Sequence, residues 1–267
     1  EVAGEKKSIY GKTAFYVGSI DKQRMLSAGF PVKEIERDSA NLIEDGIYIR
    51  GNSRSVLLVG KGKRGALNAV YDFLENTVGC HWPEPGREFI PKRSDLPLSG
   101  ILRKNNPVFP FRGIAIHGAC NPQWFGEIVD WLAKNRMNSF QLFPDHYERV
   151  RPANIDGILK RGLLPNIGGH SREFYYPGHK YFDKNPEYFA LINGKRTANL
   201  QMCYSEYGSI ADYSSNIVSY VKSRPEIYMV SLWPSDGYGF CECDKCKSRQ
   251  TTDVILDYIN KLSESVH

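Results

Sequence analysis

The chain has 267 residues, 41% hydrophobic, 24% charged and 12% aromatic, a profile with enough apolar surface for a real core and room for two domains. Its 35 basic and 30 acidic residues leave a net charge of +5 without long like-charge runs, so no nucleic-acid partner is expected. Apolar stretches such as residues 56–59 (VLLV) are far too short to span a bilayer, and the chain opens on Glu1 without a basic-then-apolar leader; neither a membrane span nor an uncleaved precursor is expected.

Residues 13–18 (TAFYVG), 46–50 (GIYIR) and 55–59 (SVLLV) are β-branched and aromatic runs bounded by turn residues, as strands should be. Gly51 and Asn52 stand between the last two and predict a hairpin. Leu67, Val70, Tyr71 and Leu74 then recur at helical spacing, with Gly79 placed for a C-terminal cap, so the expected picture is a small sheet covered by one helix. Gly60-Lys61-Gly62-Lys63-Arg64-Gly65 between strand and helix spells the dinucleotide fingerprint G-x-G-x-x-G. The fingerprint also needs a second parallel strand after the helix, and here the proline-broken turn Cys80 to Gly86 follows, so the glycines are read as turn residues that bind no nucleotide. Residues 86–110 hold four prolines among basic residues and read as a surface connection, which places a domain boundary at about Lys104 (1–104 and 105–267).

Beyond it, strand and helix alternate. Residues 111–117 (FRGIAIH) form a strand; Asn121 caps a helix with Pro122 in its first turn. Residues 138–143 (NSFQLF) are a second strand, 155–160 a short helix and 163–167 (LLPNI) a third strand. A helix over 213–222, a strand over 227–233 (IYMVSLW) ending at Trp233, and a last helix around Ile255 to Leu262 follow, with a further strand possible at 200–203. Repeated βα units imply a parallel sheet with helices outside. Polar residues gather at the strand ends: His117, then Asp145-His146, then His170, then Asp236, which is where a (β/α) barrel builds its active site. The stretch 170–200 is too long for an ordinary connection and is rich in aromatics, Tyr175 among them; it either offers ring faces to a sugar or packs on itself.

Residues 59–91, from VGKGKRGALNAVYDF to GREFIP, resemble the small N-terminal domain that precedes the barrel in family 20 β-hexosaminidases and in α-glucuronidases. The motifs GGHS, NPEYFALINGKR, QMCYS and WPSDGYGFCECDKC resemble, in their order, the glycoside-hydrolase-like family known as domain of unknown function 4838. The resemblance implies an α/β protein: a small α+β N-terminal domain followed by a (β/α)8-type barrel. With about 160 residues left after Lys104, against roughly 250 for a closed barrel, the barrel is expected to be incomplete and the chain to be the first part of a longer protein.

It further implies a glycoside hydrolase acting on a terminal sugar of a glycan, in a secreted, periplasmic or cell-surface location; the alternative is a non-catalytic carbohydrate-binding or scaffolding protein on a degenerate barrel. Residue by residue, Arg112 resembles the first-strand arginine that grips sugar hydroxyls, and His170 the active-site histidine. Asp236 falls where the hexosaminidases place an adjacent Asp-Glu pair; here Gly237 follows it, so the pair is broken. Glycoside hydrolysis generally needs two carboxyl groups; Asp145 or Glu242 can supply the second, or it lies outside the chain. His117, His146, Tyr175 and Trp233 complete the expected pocket, with Asp236, His170 and Arg112 facing it together.

No cofactor is expected in the chemistry itself. Cys241-x-Cys243-x-x-Cys246 places three sulfurs within a turn, a spacing that suits a structural zinc with Cys203 as the fourth ligand, or one disulfide plus inert thiols.

Overall fold

The computed structural model of the chain describes residues 13–19, 21–118, 121–198 and 201–266; Cys120 and Leu200 fall outside them. The chain divides into two compact units, one made of Glu1–Gly113, Asn121–Ser139 and Ala153–Leu163, the other of Ile114–Cys120, Phe140–Pro152 and Leu164–His267. Among the described residues no helix is long and apolar enough to cross a membrane.

The first unit begins with β1 (Ala14–Val17), α1 (Lys22–Ser27), α2 (Val32–Ser39), β2 (Ile47–Gly51), β3 (Ser55–Gly60) and α3 (Gly62–Phe73). The hairpin expected at Gly51-Asn52 forms because Asn52 Oδ1 accepts from the backbone N–H of Arg54 and Ser55, closing the turn on its own side chain. Gly79 ends the helical run in the left-handed region (φ 91°), as its position predicts. Side chains alternate across the sheet: Tyr48 and Leu57 pack with Met25, Phe30 and Ile35, while Ile47, Ile49, Val56 and Leu58 pack with Ala69 and Phe73. One helix is therefore half the picture, since α1 and α2 cover the other face. The proline-broken turn and the surface connection after it supply strands: β4 (His81–Glu84) pairs with β5 (Arg87–Phe89), and β6 (Leu102–Asn105) adds antiparallel to β2, completing the order β1-β3-β2-β6.

The glycine loop has a structural explanation. A Cβ on Gly60 would meet the Gly65 backbone at 2.3 Å, so these two glycines let the end of β3 and the start of α3 touch. Lys61 N–H donates to Gly46 O, and the Glu44 carboxylate lies against Gly62, an acidic group where a phosphate would need donors.

In the second unit β7 (Gly113–Ile116), β8 (Ser139–Leu142), β9 (Leu164–Gly169) and, much later, β12 (Met229–Leu232) make one sheet in the order β12-β9-β8-β7, with β9 and β12 parallel. Among the described residues this sheet has four strands and does not close. Between β7 and β8 runs α4 (Pro122–Lys134), capped by Asn121 Oδ1 on Trp124 N–H and grouped with the first unit. The helix expected at 155–160 is the end of a longer one, α5 (Pro144–Arg161), with Pro152 inside it. Burial of Tyr147, Val150 and Ile158 outweighs the roughly 3 kcal/mol cost of an internal proline.

After β9 come α6 (Arg172–Tyr175), α7 (Gly178–Tyr181), and a hairpin of β10 (Leu191–Ile192) and β11 (Lys195–Arg196) turning at Asn193-Gly194. Several aromatics of the 170–200 stretch turn inward, while Phe174 stays exposed. The Tyr176 and Tyr181 rings stack at 4.0 Å, and with Phe189, Met202, Tyr213 and Tyr258 they form the core of this unit. That core is closed by α8 (Ile210–Lys222), before β12, and by α10 (Thr251–Glu264), after the short α9 (Asp244–Lys247).

Two acidic groups pin α5 to the segment before β12. Tyr147 Oη and Arg151 Nε both donate to Glu226, and Tyr220 Oη and Arg224 to Glu148. Burial pushes both carboxyls up, but Arg151 on Glu226 and Arg224 on Glu148 outweigh it and hold them below the usual carboxylate range. A carboxyl that titrates lower folded than unfolded stabilises fully above its unfolded pKa of about 4.3, and that contribution is lost as pH falls through the folded value. The melting temperature should thus hold from neutral pH to about 5 and fall below about 4, less steeply in Glu226→Gln. A flat profile down to about pH 2.5 would contradict this.

Candidate active site

Each strand of the second sheet ends on a side chain that meets its neighbours. His117 follows β7, Phe143 follows β8, His170 follows β9 and Trp233 follows β12, so the strand order sets the four rings side by side. Ring centroids lie 5.2 Å apart for His117 and Phe143, 6.1 Å for Phe143 and His170, 5.2 Å for His170 and Trp233, and 5.8 Å for His117 and Trp233. His146, in the first turn of α5, packs its ring edge to face on Phe143 at 5.7 Å.

The closest polar pair at these strand ends is His170 with Asp236. His170 Nε2 lies 3.0 Å from Asp236 Oδ1, and Nδ1 lies 2.5 Å from the Pro234 carbonyl oxygen. A carbonyl only accepts, so Nδ1 is the donor to Pro234 O, and Nε2 is left facing the Asp236 carboxylate. The carboxyl side of the pair is open, since the Asp236 side chain is 87% exposed and that of His170 only 27%.

Two amides that carry no motif, Gln141 and Gln201, tie together the backbone around these strand ends. Gln141 Nε2 donates to Gly168 O at 2.9 Å, which turns its Oε1 toward His117 Nε2 at 3.2 Å and makes that nitrogen the protonated one. Gln201, fully buried, donates from Nε2 to Ser235 O, beside Asp236, and accepts from Tyr204 Oη. Gln141 has a readable signal: it is a lone amide in an apolar strand, two residues before Phe143 and so on the same face. Gln201 has none.

Gly169 makes room for the cluster. Its φ of +103° is disfavoured for other residues, and a Cβ there would lie 2.7 Å from Phe143 Cε1 and 3.2 Å from Gln141 Nε2. Gly169→Ala should therefore cost about 2 kcal/mol or more, read as a lower urea midpoint; an unchanged midpoint would show the ring cluster to be loosely held.

Several expected residues lie elsewhere. Arg112 precedes β7 and so stands at the strand's opposite end from His117; its Nη2 donates to Asp45 at 2.8 Å, Nε to Arg136 O and Nη1 to Phe109 O, which holds the guanidinium away from the His170–Asp236 pair. Tyr175 is buried against Phe174 and Tyr220 and does not line a pocket wall. Glu242 accepts from Asn193 N–H at 2.9 Å and is tied to the β10–β11 turn. Asp145 is exposed, 4.0 Å from His146 Nε2, so among the described residues Asp236 is the one carboxylate that meets His170.

The four cysteines singled out by spacing do come together. The sulfurs of Cys203, Cys241, Cys243 and Cys246 all lie within 4.8 Å of one another, and none is in a disulfide. Cys203 and Cys246 beside it, with the N–H of Leu191 donating to its sulfur, hold the Cys241 thiol far below its usual range.

In fold the chain is similar to a β-N-acetylhexosaminidase of Bacteroides fragilis (TM-score 0.54, 12% identity, 96% of this chain and 60% of that one). It is similar also to a family 89 glycoside hydrolase of Clostridium perfringens, solved with GlcNAc-alpha-1,4-galactose (TM-score 0.53, 12% identity, 84% and 32%). A third is a family 20 exo-β-N-acetylglucosaminidase of Vibrio harveyi (TM-score 0.50, 12% identity, 95% and 50%). The chain thus spans from about a third to 60% of these proteins' length, and at such identity the likeness is one of fold. No curated protein matches by sequence. The family described as domain of unknown function (DUF4838) matches residues 82–267, well over half of the chain, and to that family the chain belongs.

Proposed function

We propose that the chain is the catalytic part of a glycoside hydrolase that acts on a terminal sugar of a glycan, built as a small N-terminal domain (1–104) and part of a (β/α) barrel (105–267). The observation that carries this reading is the His170–Asp236 pair, 3.0 Å apart at the carboxyl ends of adjacent strands and beside the Trp233 indole. Trp233 is 37% exposed and offers an apolar face on which a sugar ring can stack. Asp236 then serves as the acid or base at the glycosidic oxygen, with His170 holding the proton it shares and the Pro234 carbonyl holding His170 in one orientation. With Glu242 engaged at the hairpin, the second carboxylate is Asp145, after strand β8, or a residue outside the chain.

One observation favours the other reading, a barrel that binds glycans without cleaving them: among the described residues a single carboxylate meets His170, with Gly237 standing where the hexosaminidase pattern has a second acid. A panel of aryl glycosides assayed beside a glycan array separates the two. Turnover of at least one glycoside is expected; saturable glycan binding with no turnover would establish the binding protein instead.

A further inference from the structure

The cysteine cluster lies outside the proposed chemistry, and its sulfurs are close enough together to surround one ion. Cys203 Sγ lies 3.7 Å from Cys243 Sγ and 3.8 Å from Cys246 Sγ. A disulfide would need about 2.0 Å. Four sulfurs placed tetrahedrally about 2.3 Å from one zinc ion are separated by about 3.8 Å along each edge. We infer that Cys203, Cys241, Cys243 and Cys246 hold a single structural zinc ion that clamps the loop bearing Asp236.

The surroundings suit that charge. Binding releases the thiol protons and leaves a zinc tetrathiolate with two net negative charges. Leu191 N–H donates to Cys241 Sγ at 3.3 Å, and Arg196 Nη1 lies 3.7 Å from the same sulfur, so a backbone donor and a cation already face the cluster. Local structure presents the ligands. Cys243 caps α9, with its carbonyl accepting from Cys246 N–H and Lys247 N–H, and the Cys203 N–H is bonded to Tyr188 O. All four thiolates are taken from protein, which leaves no open position for a reacting water.

The clamp acts on the loop through both of its anchors. Asp236 stands five residues before Cys241, and the loop between contains Gly237 and Gly239, both at positive φ, with Tyr238 fully exposed. The carbonyl of Ser235 is held by Gln201, two residues before Cys203. Zinc thus fixes the end of the loop directly and its start through the segment 201–203. This consequence for Asp236 rests on the proposed function; the metal assignment rests on the sulfurs alone.

The test is metal content, read without any activity. Protein purified under reducing conditions should contain about one zinc per chain by mass spectrometry of the metals, released when the thiols are blocked. Cys203→Ser and Cys246→Ser should lose it, and Cys80→Ala should keep it. Because a ligand variant can fail to fold, the wild-type protein exchanged into cobalt supplies a second readout: the visible bands of a tetrahedral tetrathiolate. Hydrogen exchange across 233–243 should rise on chelation. Four freely titrating thiols with no metal, a disulfide among them, or stoichiometric iron would overturn the assignment. A zinc protein whose 233–243 exchange is unchanged by chelation would overturn the clamp.

Discussion

Asp45→Ala should cost the protein about 3–5 kcal/mol, enough to unfold a marginal domain, because it strips the partner from two guanidiniums at once. Asp45 is almost fully buried and accepts from Arg64 Nε at 2.7 Å, Arg112 Nη2 at 2.8 Å and Asn138 Nδ2 at 2.9 Å. Burial alone would raise its carboxyl; Arg112 and Arg64 outweigh that and hold it below the usual range, so the carboxylate is charged wherever the protein is folded near neutral pH. The residue also sits at φ 66°, a conformation that Asn tolerates and Ala does not. Comparing Asp45→Asn with Asp45→Ala in urea denaturation therefore separates the lost charge from the lost shape. Asn should be destabilising but the milder of the two. A cost below about 1 kcal/mol for Ala would mean that the network is solvated rather than structural.

Asp236→Asn should lower turnover of the best glycoside by about 100-fold or more while leaving the melting temperature unchanged, since the side chain is largely exposed and its loss buries no charge. The amide preserves a contact to His170 but can no longer give or take the proton. His170→Ala should lower turnover as well, and it should also shift the pH dependence, because the proton shared with Asp236 then has one holder instead of two. Full activity in Asp236→Asn would leave the fold standing and remove the acid-base role.

What the sequence made legible, and what it did not, follows from which contacts are local. That His117, His146, His170, Trp233 and Asp236 lie near one another is legible because each follows an apolar β run, and a parallel sheet gathers such ends on one rim. Arg112 misleads for the same reason in reverse: it lies beside a strand, yet before it, where a hydrogen-bond partner 67 residues away claims the side chain. Tyr175 misleads because aromatic composition does not distinguish a ring facing a ligand from one facing Tyr220. The C-x-C-x-x-C spacing is a local signal, whereas Cys203 joins it across 40 residues through the bridge between Phe189 and Met202. The helices α1 and α2 were missed because much of each is polar and exposed, with the burial confined to Met25, Val32 and Ile35.

The most direct measurement is a structure of the protein with the monosaccharide released from its best aryl glycoside. The account predicts the sugar ring against the Trp233 indole, with its anomeric hydroxyl within hydrogen-bond distance of Asp236 and the His170 pairing retained. A sugar bound away from the ends of β9 and β12, with His170 and Asp236 untouched, would contradict it.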